Sequence, residues 1–180
     1  MTAQEDFAVG VPVARHGSSV LQNALTCLID TVCVRLRFTA TDDMQGLIDH
    51  VRVAAGEALA AADVPFTEVV DLVNPPRNGE SNPLYQAMFS LHEQPPELGL
   101  SGCTALLRRP EAARATCDLV TGVWPDGDGG CSVRLAYRQD RVPRTGALAV
   151  GETLAGILRR GPAVERRCLA ERLPSQPAAG

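Results

Sequence analysis

The chain has 180 residues, enough for one sizeable core or for one lobe of a larger body. Its 17 basic residues, all Arg, face 21 acidic ones for a formal charge of −4, and hydrophobic and charged fractions of 45% and 21% are those of an ordinary globular protein. No basic stripe interleaves with the few aromatics and no apolar run reaches the roughly 18–20 residues of a membrane span, so neither nucleic-acid binding nor a membrane segment is expected.

Met1 to Asp6 is acidic and polar, unlike a signal peptide, and the cytoplasm is the expected compartment. Residues 6–14, DFAVGVPVA, are apolar and β-branched and read as a strand or strand-like loop, with Gly10 and Pro12 arguing for a bend or an edge position. Arg15 to Ser19 reads as a turn, with Ser18 or Ser19 capping a short helix through Gln22 to Leu25. Residues 27–38, CLIDTVCVRLRF, form the strongest strand signal. Val32, Val34, Leu36 and Phe38 alternate with Cys33, Arg35 and Arg37, which predicts one buried face.

A long amphipathic helix follows, with Asp42 as its expected cap and Gln45 three residues on. Met44, Leu47, Ile48, Val51, Ala55, Ala58, Leu59 and Ala62 repeat at three and four, opposite Asp43, Asp49, Arg52 and Glu57. A second, short helix is expected from Pro65, with Phe66, Val69, Val70 and Val73 on one face, broken at Pro75-Pro76. After a polar loop and Pro83, the run Leu84 to Leu91 reads as a strand entering the central sheet. A further strand is expected around Cys103 to Arg108. Residues 116–124 and 131–138 flank PDGDGG as a β-hairpin. Pro143 opens a last helix with Leu148, Gly151, Leu154, Ala155 and Leu158 on one face and Arg159 and Arg160 near its end, before Gly161-Pro162. The tail from Pro174 reads as linker.

Little in the residue chemistry points to a self-sufficient active site. The cysteines (27, 33, 103, 117, 131 and 168) show no Cys-x-x-Cys and no His at ligand spacing, so they are expected to act as small buried hydrophobes. The DGDGG run at 126–130 fails as a calcium loop because its twelfth position is Tyr137. His16, His50 and His92 are scattered. His92 beside Glu93 is a pairing with base character, but no nucleophile is evident next to it. Gly17-Ser18-Ser19 lacks the flanking glycines of a nucleophile elbow. No cofactor and no metal are expected.

Taken together, DFAVGVPVA with Asp6, Gly10 and Pro12, LTCLIDTVCVR, ADVPFTEVV, RNGESNPLYQAMF and the late strand-turn-strand ending LAYRQD resemble the C-terminal half of a nonribosomal peptide synthetase condensation domain. The family's Ile-Gly-x-Phe-Val-Asn-Thr motif and its following Arg are matched by Leu25 to Thr31 and Arg35. His-Gln-Asp-x-Pro-Phe-Glu is matched by Ala61 to Thr67, which keeps Asp63, Pro65 and Phe66. Arg-Asp-x-Ser-Arg-Asn-Pro-Leu is matched by Arg77 to Leu84, which keeps Arg77, Asn82, Pro83 and Leu84. The departures are polar: Thr26 and Asp30 stand for Gly and Asn, Ala61-Ala62 for His-Gln, and Thr67 for Glu. Order and spacing agree over roughly residues 6–160.

The resemblance implies an α/β (α+β) lobe like that of chloramphenicol acetyltransferase, a mixed sheet with flanking helices and a late hairpin, over residues 1–162. Residues 163–180 would be an extension and linker. The family's catalytic His-His-x-x-x-Asp-Gly motif belongs to the other lobe, and this sequence has no His-His pair. The resemblance therefore implies an architectural role for the motif residues and no catalytic residue. Three roles follow from it: an inert lobe that serves as a platform for a neighbouring domain such as adenylation, half of a split condensing enzyme completed by a separate N-terminal lobe, or a free-standing lobe that binds a carrier protein or small acyl ligand. Surfaces left bare without a first lobe would be covered by a partner, by a second copy, or by this chain's own substitutions.

Overall fold

The computed structural model describes residues 4–14, 28–39, 43–76, 82–93, 101–103, 115–125 and 129–160. The expected Ser18/Ser19 turn and short helix, the Asp42 cap, Arg77, most of the strand near Cys103 to Arg108, Gly161-Pro162 and the tail lie outside them. The described elements are β1 (Asp6–Ala14), β2 (Ile29–Arg37), α1 (Met44–Ala60), α2 (Phe66–Val73), β3 (Ala87–Leu91), β4 (Leu119–Pro125), β5 (Cys131–Tyr137) and α3 (Arg144–Arg160).

The strands form one mixed sheet in the order β2-β1-β3-β4-β5. β1, β3 and β4 are mutually parallel, and antiparallel β2 and β5 flank them. The run after Pro83 does enter the sheet, and β3 is its middle strand. Parallel neighbours need long crossovers, and α1 and α2 lie in the connection between β1 and β3.

β1 corrects the expectation of an edge position. It pairs with β2 along its whole length and with β3 at Val9–Ala87 and Gly10–Met88. Pro12, paired with Thr31, lies beyond the β3 contact, where a missing N–H breaks no ladder bond on that side.

Strand alternation divides the sheet into two faces. One carries Val32 and Val34, both buried, with Val9, Thr121, Val123 and Leu135 in register. Leu36 of the same face lines a cleft with Val53 and Ala54 of α1, and α3 sits against Leu135. The other face carries Thr31, Cys33 and Arg35 of β2, Gly10, Met88 and Ser90 in the centre, and Gly122, Trp124 and Arg134 toward β5.

Local chemistry moved several expected boundaries. The α1 cap is Asp43, whose Oδ1 accepts from Gly46 N at 2.8 Å, the usual reach from cap to third residue. Val51 and Leu59, expected on the inner face, are exposed, because the half-buried stripe runs through Leu47, Ile48, Ala55 and Ala58. α2 starts after Pro65, whose carbonyl accepts from Glu68 and Val69, and ends at Asn74 in the left-handed conformation, φ 44°, just before the two prolines. Val73, expected on its packed face, is exposed.

β3 begins at Ala87 rather than Leu84. The Asn82 Oδ1 accepts from Leu84 N (3.0 Å) and Tyr85 N (3.2 Å), an Asx turn that takes the backbone groups a strand would use. β4 begins at Leu119, three residues later than the alternation suggested. On α3 the buried residue is Ala147, while Leu148 (52%) and Leu158 (45%) are exposed. The helix needs a small residue to approach β5: a Cβ on Gly151 would stand 3.0 Å from Leu135 Cδ1.

Candidate functional site

Gly10, Phe66 and Asn82, motif positions far apart in the sequence, meet at Tyr85, a residue the sequence reading had placed within a strand. The Asx turn of Asn82 aims the Tyr85 ring onto the open face at Gly10, and only 5% of the residue remains exposed. A Cβ at position 10 would lie 2.6 Å from Tyr85 Cε2, so glycine is required here by contact rather than by backbone angle. Phe66, the aromatic of the Pro-Phe motif, meets the same ring edge-on, with centroids 5.7 Å apart. Burial pushes the phenol's pKa up, and the nearby Thr31 side chain partly offsets that rise.

Segments distant in sequence are thus joined through one side chain. Pro65 and Phe66 open α2, Gly10 lies in β1, Thr31 in β2, and Asn82 to Leu84 form the turn. Pro12 is registered with Thr31, and Asp63 stands in the turn between α1 and α2. Asp30, in place of the family's Asn, accepts from its neighbour's Thr31 N at 2.7 Å.

Asp6 and Arg35 form a second junction, tying the start of β1 to the end of β2. Arg35 donates to both carboxylate oxygens, from Nε at 2.8 Å and from NH2 at 2.7 Å, and Arg37 Nε adds a bond at 3.2 Å. Hydrogen bonding from Arg35, aided by Arg37, holds the Asp6 carboxyl down at about 2. A depressed carboxyl stabilises the fold above its ordinary value of 3.8, and that contribution disappears as pH falls through about 2. Wild type is therefore expected to lose its stability advantage over Asp6→Asn between those two pH values. Urea unfolding of both proteins from pH 2 to 7 checks this; a constant difference across the series would refute it.

The hairpin end carries a different cluster. His92 stacks on Trp124 with centroids 4.3 Å apart and planes within 4°, and its Nε2 lies 2.9 Å from Ser90 Oγ. Arg134 stands over the Trp124 ring at 5.6 Å, and that ring folds back on Gly122. His92 is a satisfied surface histidine bonded to Ser90 rather than paired with Glu93: side chains i and i+2 share a strand face, whereas i and i+1 do not. Among the described residues no His, Cys, Asp and Glu group has metal-binding geometry. Buried Cys117 and half-buried Cys33 have thiol pKa values pushed up by burial, the opposite of an activated thiolate, as expected for packing cysteines, while Cys103 and Cys131 are exposed.

Arg138 was not singled out in the sequence. Its guanidinium grips Asp140 through Nε at 3.2 Å and NH2 at 2.6 Å in the turn from β5 to α3. The signal available was the Arg-Gln-Asp run after the last strand.

With this geometry in view, the family can be stated. The condensation-domain family model matches residues 1–141. The chain belongs to the condensation-domain family. It is 33% identical to cyclosporin synthetase simA of Tolypocladium inflatum over 116 residues, 63% of this chain and 1% of that protein. It is also 33% identical to enniatin synthase of Fusarium equiseti over 116 residues, 64% of this chain and 4% of that protein. Among solved structures, the four-domain nonribosomal peptide synthetase holo-AB3403, bound to AMP and glycine, shares the fold with a TM-score of 0.76 at 19% identity. The match covers 93% of this chain and 14% of that one. The X-domain in complex with OxyB from teicoplanin biosynthesis follows at 0.63 and 20%, covering 83% and 34%. This condensation-type chain therefore spans only a small part of the curated synthetases it matches. Its mixed sheet with flanking helices is the chloramphenicol-acetyltransferase-like lobe expected, and among the described residues no helix is long and apolar enough to cross a membrane.

Proposed function

We propose that residues 1–162 are the second lobe of a condensation domain, catalytically incomplete by themselves, and that they serve as a packing platform for a neighbouring domain such as adenylation, with 163–180 as extension. The observation that carries this reading is the apolar surface on the central strand. Phe89 and Leu91 stand on the sheet face between α1 and α3, yet they are 38% and 68% exposed. Large apolar side chains left open at the middle of a sheet mark a surface that another body covers. The sequence has no His-His pair, so the family's amine-positioning histidine is missing from these 180 residues. A likeness to an X-domain seen in complex with a second protein is consistent with a platform.

The split-enzyme reading draws support from the opposite face, where exposed His92 and Arg134 flank Trp124 as the wall of a shared tunnel would. One experiment separates the two. The chain is mixed with an adenylation domain, and separately with a lobe carrying His-His-x-x-x-Asp-Gly, and each mixture is followed by light scattering and by amide formation from a carrier-bound donor. The platform reading expects a stable adenylation complex and no amide with either partner. Amide formation with the second lobe would establish the split enzyme instead, and failure to bind the adenylation domain would reject the platform.

A further inference from the structure

β5 is the terminal strand among the described residues, paired with β4 on one side and open on the other. α3 runs beside it, and between them lies a groove of about 490 Å³. Its floor is Leu135, Tyr137, Ala147 and Gly151. Its helical wall is Arg144, Leu148, Glu152, Ala155 and Arg159, which at steps of four, four, three and four form one stripe of the helix. No β4 residue lines the groove, so it opens toward the free edge of the sheet.

We propose that this groove takes an extended, acidic-ended peptide segment of a partner protein as an added strand on β5. The open edge supplies backbone donors and acceptors, and alternate side chains of an added strand would enter the apolar floor. The charge of the partner follows from the rim. Arg144 and Arg159 stand at the two ends of the wall, and neither has an ion-pair partner among the described residues.

A second copy fits less well, because β5 carries Arg134 as its one charged residue and two copies would bring like-charged rims together. The opposite edge is a poorer site. β2 presents Arg35 and Arg37, charged side chains that blunt an edge, and its cleft with α1 is smaller, about 340 Å³. The proposal concerns the β5 edge alone and does not rest on the platform reading, which places its partner on the Phe89 and Leu91 surface.

The test uses the full chain and a fluorescein-labelled peptide, Glu-Thr-Val-Thr-Val-Thr-Glu, whose Glu and Val side chains share one strand face, followed by fluorescence anisotropy and by amide shifts of β5. Saturable binding is expected, with the largest shifts on β5 and α3. Methylating alternate backbone nitrogens of the peptide should abolish it, since that removes strand hydrogen bonds and keeps the side chains. The double variant Arg144→Glu/Arg159→Glu, at exposed positions, should weaken binding about tenfold or more and regain it for the Lys-ended peptide. Absence of saturable binding, indifference to methylation or to charge reversal, or self-association of the free chain through β5 would each overturn the proposal. Because the adenylation mixture is scored separately, either idea can fail while the other stands.

Discussion

Tyr85→Ala is expected to destabilise the chain by about 3–5 kcal/mol, the range for deleting a buried aromatic side chain. The residue is 95% withdrawn from solvent, and its ring touches elements that are otherwise far apart in sequence: Gly10 of β1 and Phe66 of α2. Its removal leaves a cavity that the Asx turn at Asn82 cannot close, because the turn fixes where the backbone enters β3. Among the described residues no large side chain is fully buried, so there is little other core to absorb the loss. Tyr85→Phe keeps the ring contacts and removes only the hydroxyl, and should cost about 1 kcal/mol or less. Chemical denaturation of the three proteins checks the ranking. Equal losses for Ala and Phe would mean that the hydroxyl, rather than the ring, joins the motifs.

The second large effect is expected at the other side of the same contact. Gly10→Ala places a methyl 2.6–2.8 Å from three atoms of the Tyr85 ring, so the ring must move. The ring is held by Phe66 and by the turn, and the expected cost is about 1–3 kcal/mol, typical of overpacking. The decisive measurement is the double mutant. If contact with the ring is the cause, Gly10→Ala should cost much less in the Tyr85→Ala background, where the methyl enters vacated space. A coupling of about 1 kcal/mol or more is expected for residues in direct contact. Additive losses would place the cost of the methyl in the β1 backbone instead.

Among the described residues, the sequence reading found the order of elements because local periodicity reports burial. The alternation at Val32, Val34 and Leu36 marks a buried strand face, and the hairpin between β4 and β5 shows in alternation interrupted by Gly and Asp. Where it erred, a local competitor or a long-range contact decided. Asn82 takes two backbone N–H groups and delays β3. Gly151 brings α3 to β5 along Ala147 and leaves Leu148 in solvent. Cap assignment moved by one residue because two adjacent aspartates offer the same chemistry, and the side chain that reaches a helical N–H belongs to Asp43.

By itself the sequence determined the family and, among the described residues, the succession of strands and helices, since these depend on spacing along the chain and on which side chains avoid water. The tertiary structure alone decided that β3 lies at the centre between two parallel partners, that Tyr85 joins the motifs, that Ser90 and Trp124 are the neighbours of His92, and that β5 presents a groove. Each of these is set by residues remote in sequence meeting across strands, and a one-dimensional pattern of polarity specifies the face of a side chain but not its neighbours.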